Sequence, residues 1–532
     1  MPHPGPGTRI SGNIADLVRD AARADPDKPA LLFSGGRTTW AELEVRVGEI
    51  AAGLRALGLV AGDRVALQLG NTPDFPAAYF GVLRAGLTAV PVNTGYTHDE
   101  VRHLLTDSGA RALVTSSAEM GLALLGELEG LEHVALVGVR VAPAPATTLD
   151  ALLRPGDGQS AGAGEDLAVV LYTSGTSGRP KGAMLSHRAL LANLEQCSRI
   201  EPPVMAPDDI VLLVLPLFHI YGLNGALGAM AWHGATGVLI ERFDPVETLE
   251  QLRRHGVTNL IGAPPMYVAW SMLPDVGDAF TSVRLALSGA APLPPAVLHR
   301  VLDTTGHHVF EGYGLTETAP VLTTTLCSHV AKPGSIGRPV PGVELRLLDE
   351  SGHPVEEGDP GEVVVRGANL FSGYWPDGAD GPDAQGWFPT GDVAYVDEDG
   401  DLHLVDRRRE LVLVSGFNVY PREVEEVLVE HPDIDEAAVL GIAHPYTGES
   451  VQALVVLRPG ARLGAEEVIA HSARSLARFK CPTAVVFVPS LPHHRQGQQG
   501  PAARRRRRRL TRRTVAAWDC CVAVRHRRWS LS

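Results

Sequence analysis

The sequence predicts an α/β fold: a large N-terminal domain of βαβ-layered sheets, a small β-barrel-like subdomain, and a small α+β C-terminal domain. Three observations predict it. Over about the first 400 residues, apolar β-rich runs alternate with amphipathic helical stretches. After about residue 340, short strands are split by Gly, Asp and Pro turns. From Glu410, a compact run of strands and helices about 80 residues long follows the charged joint "DRRRE" (406–410).

Taken in order, "RVALQLG" (64–70) reads as a strand and "TPDFPAAYFGVLRAG" as the helix after it. "TAVPVN" is the next strand, "HDEVRHLLTDSG" the returning helix, and "RALVTS" and "HVALVG" two further strands. This spacing makes βαβ units and mostly parallel sheets, because a parallel pair needs a crossover. The Gly/Ala-rich "RPGDGQSAGAGED" (154–166) reads as a turn-like separator between this layer and the next. From Ile210 to Trp232 no residue is formally charged, and the run is long enough to span a bilayer. Pro216, His219, Asn224, Gly222, Gly225 and Gly228 interrupt it, and no Lys/Arg cluster flanks it. A buried strand, a loop and a small-residue helix are expected there instead.

"GVELRLLDESGHPVEEGDPGEVVVRG" supplies the short strands of the barrel-like subdomain. The C-terminal domain reads as strand "ELVLVSG", helix "PREVEEVLVEHP", strands "EAAVLGIA" and "SVQALVVLRP", and helix "GAEEVIAHSARSLARF". The expected boundaries are 1–405, the joint 406–410, 411–492, and a basic tail, 493–532, expected to be disordered.

Hydrophobic residues make up 45% and charged residues 20% of the 532, as in ordinary globular proteins. The net charge of −14 is unevenly placed: the tail carries twelve arginines and one acid, Asp519, so the body before it is more acidic than the whole. An acidic body does not fit a nucleic-acid-binding fold, whose basic residues line a face or a helix. The run "RRRRRR" (504–509) taken alone points to nucleic acid or an anionic membrane. Cys197, Cys327, Cys481, Cys520 and Cys521 form no CxxC pair and no cluster with zinc spacing, so reduced thiols in a cytoplasm are expected. "MPHPGPGTRISGN" contains no apolar h-region, and no secretory signal is expected.

Chemistry first shows in "LYTSGTSGRPKGAMLSHRAL" (171–190). A β-run ends in Thr173, Ser174, Gly175, Thr176, Ser177 and Gly178, followed by Arg179, Pro180, Lys181 and Gly182. Small hydroxyl residues and glycines let backbone N–H groups approach phosphate oxygens, and Lys181 adds positive charge. The spacing is not that of a Walker A loop. "TSGTSGRPKG" resembles the phosphate-loop signature of the adenylate-forming superfamily: acyl-CoA synthetases, luciferase-like enzymes and peptide-synthetase adenylation domains. "YGLTET" (313–318), "PTGDVAYVDEDGDLHLVDRRRE" (389–410) and "SGFNVYPREVEE" (415–426) match the same superfamily in the same order. The resemblance covers roughly residues 12–492 and is closest to bacterial fatty acyl-CoA ligases. It implies an N-terminal AMP-binding domain and a small mobile C-terminal lid.

Activating a carboxylic acid requires a better leaving group than hydroxide, and AMP is one. The site must then hold a polyphosphate, a magnesium ion, an adenosine and a carboxylate. The Thr173–Gly182 loop suits the β- and γ-phosphates. Thr316 can donate to a phosphate oxygen, and Glu317 offers a hard oxygen ligand for Mg²⁺. The resemblance adds Thr176 to the metal's surroundings. It also implies that Ser288, Gly289, Ala290 and Ala291, with Gly312, Tyr313, Gly314 and Leu315, form the adenine pocket, Tyr313 stacking on the ring. By the same resemblance Asp392 accepts the ribose hydroxyls, Arg407 contacts ribose or phosphate, and His219 lies beside the acyl carboxylate.

The implied second step is attack of the coenzyme A thiol on the acyl-AMP, which needs no catalytic cysteine. The family rotates its C-terminal domain between steps; the hinge falls at Arg409, where Asp or Lys is usual. After rotation Ser415, Gly416 and Phe417 help form the thiol tunnel. "FHIYGLNGALGAMAWHGATGVLIERFDP" would wall an apolar tunnel with small residues, which favours a fatty acid; an aromatic acid stays open. Expected partners are a small carboxylic acid, ATP and CoA, without nucleic acid or a membrane span; a homodimer is left open.

One departure stands out. The family ends with a catalytic lysine in a stretch like T-x-x-[G/N]-K-[V/I]-L-[R/K]-[R/K], expected soon after "FVPSLP". This chain gives "HHRQGQQGPAARRRRRR" and no lysine after Lys480. A one-base shift of frame permits T-T-A-R-G-N-K-V-L-R-R, with the lysine codon spanning Gln499 and Gly500 and the arginine run becoming alanines. A frameshift near Pro492 is the expectation, with impaired adenylation in the chain as it stands. Three functions follow: an ATP-dependent acyl-CoA ligase with an aryl-CoA ligase as its variant, a non-catalytic acyl-adenylate-binding remnant, and a tail acting as a nucleic-acid or membrane anchor.

Overall fold

The computed structural model describes residues 10–489 and Leu491, apart from 157, 175–179, 329, 350, 408–411 and 420. The basic tail lies outside them. The described elements lie within one unit, Met1–Val488.

A seven-stranded sheet runs in the order Thr147–Thr148, His133–Leu136, Ala110–Thr115, Arg64–Gln68, Thr88–Pro91, Leu167–Ser174 and Pro180–Ser186. Its strands pair in parallel except for the last two, which form a hairpin. Val65, Ala66 and Leu67 are all fully buried. A strand covered on both faces has no polar side to alternate with, so it reads as an unbroken apolar run.

A nine-stranded sheet follows the order Arg338–Pro339, Val321–Thr324, Val309–Gly314, Leu285–Ser288, Asn259–Gly262, Ile210–Leu213, Thr236–Leu239, Pro29–Phe33 and Gly36–Thr39. It is parallel in the middle and antiparallel at both ends. The expected separator at 154–166 therefore does not divide the two layers. Leu167–Ser174 returns to the first sheet beside Thr88–Pro91, and Pro29–Phe33 crosses to the second beside Thr236–Leu239. Register, not closeness in sequence, decides both pairings.

Local signals set the helix ends. Before His98–Ser108, the Thr97 side chain accepts from Glu100 N–H while Glu100 accepts from Thr97 N–H, and Gly109 closes the helix at φ 60°. Asp244 caps Pro245–His255, with proline in the first turn and Gly256 in the left-handed region after it. The uncharged run at 210–232 becomes the buried strand Ile210–Leu213, the π-helix Tyr221–Gly228 and the short α-helix Ala229–His233. Asn224, fully buried in that π-helix, donates to Leu190 O at 3.0 Å and Ala319 O at 2.7 Å. Among the described residues no helix is long and apolar enough to cross a membrane.

The region expected to be barrel-like is a four-stranded antiparallel sheet, Val343–Leu348, Gly361–Gly367, Trp387–Val396 and Leu402–Arg407. The smaller C-terminal part has five strands. Gly448–Leu457 pairs with Ile434–His444, Val412–Val414 and, in parallel, Ala484–Phe487, while Phe417–Val419 forms a hairpin with Val412–Val414. Val412, Val419, Val424, Leu428, Val439, Val451, Val455 and Val468 make its separate core.

Candidate active site

The hairpin expected to hold phosphate is set by cross-strand register. Thr173 pairs with Lys181 and Ser174 with Pro180, across a tip (175–179) outside the described residues. Gly175, Thr176, Ser177 and Gly178 fall in that tip, and of Ser174 the backbone alone is described. Thr173 Oγ1 donates to Lys181 O at 3.4 Å. At Gly182 a Cβ would approach Val170 Cγ1 to 2.6 Å, so glycine is what allows this close packing.

A segment the sequence did not single out lies across the hairpin. Ser372 N–H donates to Met184 O, Met184 N–H to Gly373 O and Trp375 N–H to Gly182 O, at 2.8–3.0 Å. It brings two side chains to the site. Asp380 accepts from Lys181 Nζ at 2.8 Å, and the Tyr374 hydroxyl donates to Glu317 Oε1 at 2.5 Å, with Lys181 Nζ 5.1 Å from the Tyr374 ring centroid. Asp380 is 199 residues from Lys181 and Tyr374 is 57 from Glu317, so no local spacing could have shown either pair.

One cavity, of about 190 Å³, gathers most of the remaining candidates. Its lining includes Thr173, Gly289, Ala290, the run Gly312 to Glu317, and Asp392. Ser288 and Ala291 are not in the lining; Ser288 is buried in its strand, opposite Glu311. Gly314 must be glycine, since a Cβ there would come within 1.8 Å of Pro320 O. Thr316 and Glu317 sit in a single 3₁₀ turn, which Phe371 N–H and Asn369 Nδ2 hold by donating to Glu317 O at 2.9 Å and Thr318 O at 2.7 Å.

Tyr313 and Asp392 are directly joined: the phenol donates to Asp392 Oδ2 at 2.7 Å, and both residues are buried. Asp392 pairs in register with Arg407 on the next strand, which puts the two backbones side by side; the Arg407 side chain is outside the described residues. Arg409 is outside them entirely.

His219 also lines the cavity. Its Nδ1 accepts from Tyr221 N–H at 3.3 Å, so the ring proton sits on Nε2. Burial pushes its pKa down to about 4, leaving a neutral donor at pH 7. The lining also carries the apolar side chains Leu194, Cys197, Ile200, Val204, Ala229 and Leu326. The Tyr221 ring is held between two glycines; a Cβ would meet it at 2.8 Å from either Gly225 or Gly289. Two polar side chains of the lining are already bonded to backbone. Asn193 Nδ2 donates to Val321 O at 2.8 Å, its Oδ1 accepts from Val321 N–H at 3.1 Å, and Thr324 Oγ1 donates to Glu311 O at 2.9 Å. Burial pushes the Cys197 thiol up to about 12, so it is no nucleophile at neutral pH.

From the C-terminal part Gly416 reaches the cavity lining, with Ala290 Cβ 3.6 Å from where a Gly416 Cβ would stand. Ser415 and Gly416 form the two-residue turn between Val414 and Phe417, both at positive φ (53° and 84°). Ser415 and Phe417 flank it without lining the cavity; Phe417 instead packs on Phe479, ring centroids 4.8 Å apart. Among the described residues no group of three or more His, Cys, Asp or Glu side chains could hold a metal ion unaided. Mg²⁺ needs no such cage, since one or two carboxylates plus substrate phosphates suffice, and Glu317 fits that pattern.

These features recur in known proteins. The AMP-binding enzyme family model matches residues 18–375, and that for the AMP-binding enzyme C-terminal domain matches 423–498. The chain belongs to the AMP-binding enzyme family. It is an enzyme of the AMP-forming acyl-CoA synthetase class, which uses ATP and CoA. A long-chain-fatty-acid–CoA ligase of Yersinia pestis is 36% identical, over 91% of this chain and 92% of its own length. A feruloyl-CoA synthase of an Amycolatopsis species is 37% identical, over 90% and 95%. Among solved structures, the amide bond synthetase McbA from Marinactinospora thermotolerans superposes with a TM-score of 0.83 at 30% identity, covering 92% of this chain and 98% of that one.

Proposed function

We propose that the chain is an ATP-dependent fatty acid–CoA ligase. A carboxylate oxygen attacks the α-phosphorus of ATP, the bond to pyrophosphate breaks, and acyl-AMP forms. The CoA sulfur then attacks the acyl carbon, AMP leaves, and the thiol proton goes to the medium. The observation that carries this reading is one cavity whose lining joins Gly312–Glu317 and Asp392, a neutral histidine, and apolar side chains such as Leu194, Ile200 and Val204.

In this reading Lys181 and the Thr173–Gly178 loop bind the β- and γ-phosphates, and ATP displaces Asp380 from Lys181. Thr316 donates to a phosphate oxygen. Glu317, steadied by Tyr374, holds the magnesium that neutralises phosphate charge. Asp392 and Arg407 take the ribose, while Gly289, Ala290 and Gly312 let the adenine approach backbone. His219 Nε2–H donates to the acyl carboxylate. Gly416 borders the path of the thiol, and Arg409 is the hinge of the 406–410 joint between domains 1–405 and 411–492.

An aliphatic acid is favoured because Asn193 and Thr324 already bond to backbone, which leaves them poorly placed to receive a phenolic hydroxyl. The likeness to a feruloyl-CoA synthase supports an aromatic acid as the second reading. The missing lysine bears on the first step alone: loss of such a charge costs about 10²–10³ in rate. Restoring the in-frame T-T-A-R-G-N-K-V-L-R-R stretch in place of the tail from His493 should raise pyrophosphate release by that factor.

The test is pyrophosphate release over a panel of saturated acids of increasing length and one hydroxycinnamic acid, with and without CoA, on both chains. A rate that peaks among the saturated acids and yields acyl-CoA supports the reading. A preference for the hydroxycinnamic acid overturns the fatty acid assignment. No release from either chain, with acyl-AMP still bound, leaves a binding remnant.

A further inference from the structure

Lys480 is the last lysine of the chain, and it is buried, with 1% of its surface exposed. Its Nζ lies 2.8 Å from Glu100 Oε1 and 2.7 Å from Glu423 Oε1. The two carboxylates belong to different parts of the molecule. Glu100 is in His98–Ser108, a helix of the N-terminal part, while Glu423 is in Pro421–Val429, the helix that follows the Ser415–Gly416 turn. The ammonium also stands 4.7 Å from the Tyr96 ring centroid. Beside it, Thr97 Oγ1 donates to Ser475 O at 3.2 Å.

Both carboxylates are committed around this ammonium. The second oxygen of Glu100 accepts from Thr97 N–H at 2.8 Å in the helix cap, so its position is fixed by the N-terminal part. The second oxygen of Glu423 is buried with no partner among the described residues. Without Lys480 two largely covered acids, with 10% and 11% of their side chains exposed, would face each other across the contact, and like charges there repel. The neighbouring residue extends the link: Phe479 packs against Phe417, the residue next to Gly416. Residues 479 and 480 thus join the hairpin that carries Gly416 to a fixed helix of the N-terminal part.

We propose that Lys480 is a positioning residue for the thioester-forming step: bridging Glu100 and Glu423, it holds the Ser415–Phe417 hairpin at the cavity mouth. This rests on the ligase reading above. The bridge touches neither nucleotide nor acid, so its loss is felt where the hairpin is needed, in transfer from acyl-AMP to CoA.

Three variants of the full chain test it: Lys480→Met, Lys480→Arg and Glu100→Gln. Three quantities are read: acyl transfer to CoA from supplied lauroyl-AMP, ATP affinity by calorimetry, and amide hydrogen exchange over 98–108 and 412–419. Lys480→Met should slow transfer at least tenfold, speed exchange in both segments and leave ATP affinity within twofold. Lys480→Arg, which keeps the charge, should recover most of the transfer rate. Glu100→Gln keeps the Lys480–Glu423 pair, so it reports on the bridge even if Lys480→Met does not fold; it should slow transfer severalfold and loosen the same segments. Unchanged exchange in Glu100→Gln would overturn the proposal, as would a parallel loss of ATP affinity and transfer, which marks a general structural role. If the unmodified chain transfers nothing while exchange responds as expected, the ligase reading fails and the bridge stands.

Discussion

The Tyr313 hydroxyl donates to Asp392 Oδ2 at 2.7 Å, joining the strand Val309–Gly314 to the four-stranded sheet at the cavity that both residues line. Tyr313 was expected as an adenine-stacking ring and Asp392 as a ribose acceptor; the bond makes them one unit. A hydrogen bond to a buried carboxylate contributes about 1.5–3 kcal/mol. Tyr313→Phe keeps the ring and removes the bond, so ATP should bind roughly tenfold more weakly, measured by calorimetry. Unchanged affinity would mean that the phenol does not orient the carboxylate.

The apolar part of the lining makes a prediction about acid length. Ala229 lines the cavity, so Ala229→Leu fills space that a longer acyl chain would occupy. Each methylene in such a pocket is worth about 1–3 kcal/mol of discrimination. The kcat/KM ratio of hexanoate to palmitate should therefore rise by about tenfold or more. An unchanged ratio would place the acyl chain elsewhere.

His219 gives a pH prediction. Its folded pKa is lowered to about 4 from the ordinary 6.5, chiefly by burial. The unfolded chain then takes up this proton first as pH falls, so stability contributed at neutral pH is lost from about 6.5 down to about 4. In the folded protein the ring stays neutral through that window. Nitrogen-detected NMR should find His219 unprotonated at pH 5.5, and the transfer rate should show no limb at 6.5 that His219→Asn removes. A protonated ring at pH 5.5 contradicts the buried-donor role.

Glu311 works in the opposite sense. It is buried, accepts from Leu293 N–H at 2.9 Å, and burial raises its pKa to about 7. An acid whose folded pKa is raised costs nothing below the unfolded value of 4.5; the penalty grows as pH rises and is complete above about 7. Glu311→Gln keeps the acceptor and removes the charge. It should raise the melting temperature at pH 8 and leave it nearly unchanged at pH 4.5, by thermal unfolding. Equal shifts at both pH values would show that Glu311 is not ionised in the fold.

What the sequence made legible follows from how each feature is encoded. Thr173, the "YGLTE" turn and "TGD" each lie in a contiguous motif, and backbone geometry alone largely brings them to the cavity. The buried strands showed as apolar runs, because both faces are covered. Pro29–Phe33 in the second sheet and Leu167–Ser174 in the first could not be assigned, since their partners lie elsewhere in the chain. Tyr374, Asp380 and Lys480 were invisible as site residues for the same reason. Each bonds to a partner 57 to 380 residues away, and an isolated Tyr, Asp or Lys carries no periodic or spacing signal.

The central claim is that this cavity turns an acyl-adenylate into a thioester, and the most direct measurement bypasses the missing lysine. Incubate the full chain with lauroyl-AMP and CoA, without ATP, and quantify lauroyl-CoA by mass spectrometry against an enzyme-free control. The account predicts lauroyl-CoA and AMP in equal amounts, formed at a rate that saturates with CoA and falls when His219 or Gly416 is replaced. Lauroyl-CoA no faster than the control, from a chain that still binds lauroyl-AMP, would contradict it.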